Sequence, residues 1–170
     1  MSNTVLALDP GPQETAWVIW SEDRIERFGK SPNDEFVDAI MTKLVDADRM
    51  VIEKIASYGM PVGAEVFETC VWSGRFIQAF YAHLKPVRRI GRLEVKMHLC
   101  HDSRAKDANI RQALIDRFGG KERAIGKKNS PGPLYGISGD CWAALAVAIT
   151  FHDQYCAENT NGDKGCAARR

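Results

Sequence analysis

Three acidic residues border apolar segments of the sequence. Burying a carboxylate there costs free energy unless a positive charge neutralises it. Asp9 ends the apolar run Val5–Leu8, just before a Pro-Gly turn, and Glu53 ends the apolar run Met50–Ile52. The third acid, Asp140, precedes an alanine-rich segment. Clustered carboxylates repel one another, so such a group is stable only with a hard cation such as Mg²⁺ or Mn²⁺. Two such ions promote phosphodiester hydrolysis, because one helps to generate hydroxide and the other stabilises the leaving oxygen.

Each acid also has a simpler interpretation. Asp9 suits the cap of a turn, Glu53 suits an ion pair with Lys54 or an arginine, and Asp140 suits the N-cap of a helix. The positions nevertheless match, since two acids end strands and the third opens a helix. If the first and fourth strands are neighbours, Asp9 and Glu53 emerge at the same end of the sheet, and a helix crossing that end adds Asp140. The pattern therefore favours one shared site.

The composition is typical of a soluble globular protein. Of 170 residues, 45% are hydrophobic and 26% charged, enough for one domain with a sizeable core. We expect this domain over residues 1–155 and, because residues 156–170 are polar and small, a flexible C-terminal tail. No apolar run approaches the ~20 residues that span a bilayer, and no secretory signal is visible. Five cysteines without a CxxC pair indicate a reducing, cytoplasmic compartment rather than a disulfide framework or a zinc module.

Charge is distributed unevenly along the chain, although the formal net charge is only +1. Residues 1–84 hold 7 Lys and Arg against 13 Asp and Glu, whereas residues 85–128 hold 13 against 5. An acidic first half and a basic middle suit a protein whose carboxylates hold metal while its cations bind a polyanion. A run of Lys and Arg is usually a solvated helix face. Here it covers a strand, a loop and a helix, which favours nucleic acid.

Hydrophobic periodicity and turn residues predict three leading strands, then helices and strands in alternation. The predicted elements are strands Val5–Asp9, Thr15–Trp20 and Arg24–Gly29, a helix capped by Ser31, a strand Met50–Glu53, a helix from Ala64 to about His83, a strand Val87–Ile90, a further strand Leu93–Leu99, a helix Ser103–Phe118 and a last helix from Asp140 to about His152. This order indicates a mixed sheet flanked by helices, in the α/β class.

The motifs resemble those of the RuvC-like Holliday junction resolvases of the RNase H-like superfamily, particularly the short phage-encoded forms. Leu8-Asp9-Pro10-Gly11 is similar to the family's opening motif, and Val51-Ile52-Glu53 is similar to its second acidic strand. The segment from Asp140 to Ile149 is similar to its last helix, where two aspartates three residues apart precede Ala-Leu-Ala. The resemblance spans residues 4–153 and implies an RNase H-like mixed five-stranded sheet, with three antiparallel strands and then parallel ones.

The resemblance implies an endodeoxyribonuclease that resolves four-way junctions and other branched DNA and leaves 5′-phosphate and 3′-hydroxyl ends. Its cofactor would be Mg²⁺, which Mn²⁺ can replace, with no small-molecule cofactor. Asp9 is expected to bridge two ions, with Glu53 and Asp140 each holding one side. Lys106, and more weakly Lys96, are expected to stabilise charge on the scissile phosphate. A phage enzyme of this kind would act in the cytoplasm of its bacterial host, in DNA recombination and repair.

The last helix departs from the family pattern at one position. Aligning the Ala-Leu-Ala segments puts Asp140 at the first aspartate and Ala143 at the second, so the expected four acids become three. Either Asp140 alone holds the second ion, or Asp107 or His101 takes the missing place. Asp107 also suits the first turn of a helix, where an acid is favourable.

Basic residues of the middle segment are expected to contact backbone phosphates without reading sequence. These residues are Arg88, Arg89, Arg92, Lys96, Arg104 and Arg111. In the loop 56–63, Tyr58 or Met60 would stack on a base and wedge into a junction, unless the loop is only a connector.

The helix Ala64–Phe80 resembles the dimer helix of the family. A two-fold homodimer would nick two strands of a junction symmetrically. In that case the helix exposes some of its large apolar side chains, namely Phe67, Val71, Trp72 or Phe76. The alternative is that all of them are buried in the core.

Two other functions stay open. The first is a non-catalytic module that binds junctions or other nucleic acid on the same scaffold, in which Ala143 marks lost chemistry. The second is a nuclease of the same chemistry that acts on flaps, replication forks or RNA. The ribonuclease H branch fits less well, because residues 78–83 supply no acid, and actin-like ATPases need a longer, two-domain body.

Overall fold

The computed structural model describes residues 4–21, 23–57 and 59–166, with side chains described as far as residue 155. Five strands form one mixed sheet: β1 Val5–Pro10, β2 Glu14–Ser21, β3 Arg24–Pro32, β4 Arg49–Lys54 and β5 Val87–Gly91. Their order across the sheet is β3-β2-β1-β4-β5. β2 pairs antiparallel with β1 and β3, whereas β4 runs parallel to β1 and β5. The predicted five-stranded mixed sheet is confirmed.

Helices flank this sheet. They are α1 Asn33–Met41, α2 Ala64–Tyr81, α3 Arg92–Cys100, α4 Asp107–Arg117, α5 Lys121–Ala124 and α6 Cys141–Cys166. A small hairpin, β6 Gly126–Lys127 and β7 Ser130–Pro131, lies between α5 and α6. Within the described ranges, no helix is both long and apolar enough to cross a membrane.

Alternating side chains along β1 divide the core into two layers, because successive residues of a strand point to opposite faces. Val5 and Ala7 belong to the cluster that α3, α4 and α6 cover. Leu6 and Leu8 belong to the cluster that α1 and α2 cover. All four side chains are fully buried. β1 is therefore clamped from both faces, which fixes the position of Asp9 near its end.

The turn after β1 is held by a buried hydrogen-bond network around Asn33. The Asn33 side chain donates to the Gly11 carbonyl at 2.9 Å and accepts from the Thr15 hydroxyl at 2.6 Å. Its backbone N–H donates to the Gln13 carbonyl at 2.9 Å. A Cβ at Gly11 would lie 2.6 Å from the Glu14 carbonyl oxygen, so this close turn requires glycine.

The first helix starts later than predicted. Ser31, the expected cap, lies in β3, and its hydroxyl accepts a hydrogen bond from the Trp17 indole at 3.0 Å. α1 begins at Asn33 after Pro32, without a side-chain cap.

The predicted strand Leu93–Leu99 is wrong, because this segment belongs to α3. Its apolar residues alternate with polar ones, yet Val95 is fully buried while Leu93 and Met97 are exposed. Only a helix presents these residues to such different surroundings, since a strand would turn all three to one face.

The last two long helices also have different bounds from those predicted. α4 starts at Asp107 rather than Ser103, and the Asn109 side chain accepts a hydrogen bond from the Lys106 backbone N–H at 2.9 Å. α6 continues past His152 to Cys166. The division into a domain over residues 1–155 and a flexible tail stays a prediction.

Candidate active site

Asp9 and Glu53 leave the sheet side by side from two central parallel strands. β1 and β4 pair through Leu8 and Ile52. The next residue of each strand, Asp9 in β1 and Glu53 in β4, therefore lies at the same carboxyl edge of the sheet. Both acids are partly buried. The expectation that the first and fourth strands are neighbours is confirmed.

Asp140 reaches the same edge from the start of α6. The loop that leads into α6 is anchored by Leu134 and Ile137, which are both buried. The Cys141 thiol contacts the Gly29 carbonyl of β3 at 3.4 Å and ties the helix start to the sheet. The Asp140 backbone carbonyl accepts the first helical hydrogen bonds, while its side chain stays exposed.

A cavity of about 260 Å³ joins the three acids. Its lining residues are Asp9, Glu53, Arg92, Asp107, Ile110, Arg111, Gly139, Asp140, Trp142 and Ala143. A second cavity of about 430 Å³ shares Asp9 and Asp140 and continues along the Pro10–Glu14 turn to Lys30. Three acids that are far apart in the sequence thus surround one opening.

The Asp9 carboxylate is short of positive charge. Among the described residues, none forms a hydrogen bond or an ion pair with it. Burial, followed by repulsion from Glu53 and Asp140, raises the pKa of Asp9 from 3.8 to about 7, and Arg92 opposes this only in part. Such a carboxyl group is about half protonated at neutral pH, and a nearby cation would ionise it.

Glu53 also lacks a full set of partners. Its Oε2 atom is buried and has no hydrogen-bond partner in the described part of the chain. The Arg92 Nη1 atom lies 3.5 Å away from it. Burial raises the pKa of Glu53, and the charge of Arg92 counteracts this. An unsatisfied buried carboxylate oxygen costs free energy, which a bound cation would recover.

Two cationic side chains, Arg92 and Lys30, form ion pairs with acids of the cavity. The guanidinium of Arg92 reaches from Glu53 to Asp107, and Lys30 Nζ lies 2.8 Å from Asp140 Oδ2. With the side chains in these positions, no three Asp, Glu, His or Cys groups of the described residues form a ready coordination shell. The donors nevertheless fit Mg²⁺ or Mn²⁺, because they are all carboxylate oxygens and those of Asp9 and Glu53 are under-neutralised.

The two candidates for the missing fourth acid differ in position. Asp107, the first residue of α4, lines the cavity, and so does Ala143. His101 directly follows α3 in a left-handed conformation with φ 54°, is exposed, and does not line the cavity.

The cations predicted to contact DNA divide into two groups. Arg92 and Arg111 line the cavity, and the Arg111 guanidinium stacks 4.9 Å from the centre of the Trp142 ring. Lys106 and Arg104 are exposed beside the start of α4, and Lys96 is half-buried on α3. These three residues are not part of the cavity lining.

The two arginines of β5 differ from each other. Arg88 donates to Gln154 Oε1 at 3.1 Å and lies 3.7 Å from Glu94, so its guanidinium is tied to α6 and α3. Arg89 is exposed and borders a separate cavity that also reaches Glu53. The predicted wedge residue Tyr58 lies outside the described residues, and Met60 is exposed.

The sequence did not indicate that Lys30 belongs to the site. Asp9 lies opposite Ala16, and Ala16 lies opposite Lys30, so the lysine shares a cross-strand row with the acid. A register prediction for the two hairpins would have found it. The contact between Arg92 and Asp107 joins the first residues of two helices, and no pattern in the sequence predicts it.

The strand order, the acids at the carboxyl edge and the helix that starts beside them define an RNase H-like fold of the RuvC type. The chain is similar to Thermus thermophilus RuvC, with a TM-score of 0.65 and 18% sequence identity over 92% of this chain and 97% of that chain. It is similar to T. thermophilus RuvC in complex with Holliday junction substrate, with a TM-score of 0.64 and 18% identity over 92% and 96% of the two chains. No protein-family model and no curated protein matches the sequence. This structural similarity establishes the fold alone.

Proposed function

We propose that this protein is a divalent-metal-dependent endonuclease that resolves four-way junctions and related branched DNA. The observation that carries the proposal is the meeting of Asp9, Glu53 and Asp140 at one cavity, where the Asp9 carboxylate and Glu53 Oε2 have no hydrogen-bond partner among the described residues. Under-neutralised carboxylates in a cleft are characteristic of catalytic sites. The similarity to a RuvC in complex with Holliday junction substrate supports the choice of DNA class.

Mg²⁺, or Mn²⁺ in its place, would be held by Asp9, Glu53 and Asp140. When bound, the metal would activate a water molecule and stabilise negative charge on the phosphate. Asp9 would hold the metal in its ionised form, and a bound cation favours this form over the protonated one that a pKa of about 7 allows in the metal-free protein. Arg92 and Lys30 form ion pairs with Glu53 and Asp140, two acids that line the same cavity. The water oxygen bonds to phosphorus as the bond between phosphorus and the 3′ oxygen breaks. The water gives up a proton and the 3′ oxygen takes one up, which leaves 5′-phosphate and 3′-hydroxyl ends.

Phosphate contacts would come from cations around the cavity. Stacking on Trp142 fixes the Arg111 guanidinium beside the acids, where its N–H groups can donate to phosphate oxygens. Lys106, adjacent to Asp107, is proposed to stabilise charge on the scissile phosphate. Lys96, Arg89 and Arg104 are proposed to bind the backbone further out, whereas Arg88 contributes less because it is bonded to α6.

A second copy of this chain is proposed to pack against α2. Phe76 on this helix is fully buried, which fits the core alternative, but Phe67 and Val71 are 62% and 56% exposed. Exposed large apolar side chains on one helix face favour an interface. Sedimentation of a Phe67→Glu variant is expected to give monomers, while the control Leu84→Glu, at an even more exposed apolar residue outside α2, stays dimeric. A monomeric wild-type protein would contradict this.

The phage origin of the chain, its action in the cytoplasm of a bacterial host and its part in recombination and repair are proposed from the resemblance of the sequence motifs. These statements depend on the nuclease assignment.

A rival function is a non-catalytic module that binds junctions. One observation favours it: Ala143 lines the cavity at the position where the family has a second aspartate. This rival requires binding of branched DNA without cleavage in either metal.

The test is a nicking assay on a synthetic four-way junction labelled on each strand. We expect cleavage with Mg²⁺ or Mn²⁺, no cleavage with a chelator, and no cleavage by Asp9→Asn. Asp38→Asn, an exposed acid on α1, is the matched control and should cleave like the wild type. Cleavage that survives Asp9→Asn would contradict the assignment, and a gel shift without cleavage would favour the rival. Flaps, forks and RNA-containing branches in the same panel decide the substrate.

A further inference from the structure

Arg92 occupies an unusual place beside the acids. It is the first residue of α3, where the positive end of a helix disfavours a cation. Its side chain is nevertheless mostly buried, with 21% of its surface exposed. Contacts with Glu53 and Asp107 explain both facts, because each carboxylate offsets the cost of burying the guanidinium. The acids, rather than the helix, determine where Arg92 lies.

Asp107 differs from Glu53 in its exposure. The side chain of Asp107 is 84% exposed, whereas that of Glu53 is 13% exposed. Arg92 therefore holds an outer carboxylate next to an inner one. Asp107 needs no such partner for α4 to begin, since an acid in the first turn is favourable by itself.

Ala143 lines the same cavity as Asp107. It lies one helical turn after Asp140, and its methyl group offers no donor atom to a cation. An acid from α4 and an alanine from α6 thus face one space, and the acid is held there by Arg92.

We propose that Asp107 supplies, from the start of α4, the metal-binding carboxylate that α6 lacks at Ala143, and that Arg92 is the counter-ion which a divalent ion displaces. This inference rests on the proposed metal-dependent function. A divalent ion neutralises Glu53 and Asp107 more fully than one guanidinium charge does. The displaced guanidinium then remains at the wall of the cavity, where a phosphate oxygen can accept its hydrogen bonds.

The test is calorimetric titration of the full chain with MnCl₂ alone, without DNA. We expect Asp107→Asn to weaken Mn²⁺ binding by about 10-fold or more. Asp116→Asn, a matched exposed acid on the same helix, is expected to bind like the wild type. The double variant Asp107→Asn with Ala143→Asp is expected to regain most of the affinity. Wild-type binding by Asp107→Asn would overturn the inference, and a double variant without recovery would overturn the equivalence of the two positions.

The counter-ion role of Arg92 predicts an opposite effect. Arg92→Gln removes the competing positive charge, so we expect Mn²⁺ to bind about threefold or more tightly. Its thermal midpoint is expected to be lower than that of the wild type in a chelator and to rise more on addition of Mn²⁺. Weaker Mn²⁺ binding by Arg92→Gln would contradict displacement.

Two failures are distinguishable in the same titration. If the wild type does not bind Mn²⁺, or if Asp9→Asn binds it equally well, the proposed function itself fails. If Asp9→Asn loses binding while Asp107→Asn and Asp116→Asn both match the wild type, only the role of Asp107 fails.

Discussion

Two partly buried carboxylates, Asp153 on α6 and Glu53 on β4, are neutralised to very different degrees. Asp153 on α6 receives two hydrogen bonds from Arg117, at 2.6 and 2.8 Å, and lies 2.7 Å from His98 Nε2. Glu53 has Arg92 Nη1 at 3.5 Å from an oxygen that has no hydrogen-bond partner among the described residues. The two side chains are 23% and 13% exposed, so burial alone does not separate them.

The protonation behaviour of the two acids follows from their partners. Burial raises the pKa of Asp153, but the hydrogen bonds from Arg117 and His98 outweigh it and the pKa is lowered. Burial also raises the pKa of Glu53, and Arg92 does not overcome it. Complete pairing therefore marks Asp153 as an acid that stabilises the fold. Incomplete pairing marks Glu53 and Asp9 as acids that are available to a cation.

The largest expected effect is on catalysis. Glu53→Gln should lower the nicking rate by ~10³-fold or more, because a metal-binding oxygen is lost. Its thermal midpoint in a chelator should stay the same or rise, since an under-neutralised charge is removed. Glu35→Gln, an exposed acid on α1, is the matched control. A strong loss of stability in Glu53→Gln would show that Glu53, like Asp153, stabilises the fold, and would contradict the difference between the two acids.

The next effect is a pH-dependent gain in stability from Asp9→Asn. The folded protein binds the Asp9 proton more tightly than the unfolded chain, with a pKa of about 7 against 3.8. The wild-type free energy of unfolding therefore falls as pH rises between these values. The variant should match the wild type near pH 4 and exceed it above pH 7 by on the order of 4 kcal/mol. Urea unfolding in a chelator at both pH values measures this, and a difference independent of pH would contradict it.

Asp153→Asn is expected to behave in the opposite way. A lowered pKa contributes stability above the unfolded pKa, and this stability is lost as pH falls through the folded value. The variant should therefore lose about 1–2 kcal/mol at pH 7, a figure discounted because Arg117 is partly exposed to solvent. The loss should vanish in acid. The nicking rate of the folded variant should stay at the wild-type level, and a rate that falls further than the folded fraction would contradict a purely structural role.

The smallest effect concerns the geometry of the arginine. Arg117→Lys keeps the charge but removes the paired hydrogen bonds to Asp153, so it should cost about 0.5–1 kcal/mol. Urea unfolding at pH 7 measures this. Arg123→Lys, at an exposed arginine on α5, is a control that should change little. Equal effects of the two substitutions would mean that the bidentate contact adds nothing to stability.

The sequence was sufficient for the parts of the molecule that depend on local pattern. The apolar runs that end at Asp9 and Glu53 predicted two buried strands, and these strands are neighbours in the sheet. The pattern failed at residues 93–99, because alternation of apolar and polar residues is compatible with both a strand and a half-buried helix. It failed at Ser31, because the Trp17 indole, which lies on another strand, occupies the hydroxyl that was expected to cap the helix.

Of the residues that form the site, only the three acids could be predicted from the sequence. Asp9, Glu53 and Asp140 each end or begin an element, and such positions can be found in a sequence. The pairing of Lys30 with Asp140 depends on strand register, and the contact between Arg92 and Asp107 depends on how two helix starts meet. Hairpin register would have placed Lys30 beside Asp9, whereas no spacing rule predicts how the starts of two helices meet. The incomplete neutralisation of Glu53, on which the assignment depends, became visible only with atomic positions.

The most direct test of the account is an anomalous difference map from crystals soaked in Mn²⁺. If Asp9 and Glu53 share a divalent ion, a peak is expected at bonding distance, about 2.0–2.3 Å, from carboxylate oxygens of both residues, and no such peak in Asp9→Asn crystals. Well-ordered Asp9 and Glu53 side chains with no Mn²⁺ between them, in crystals that were soaked to saturation, would contradict it.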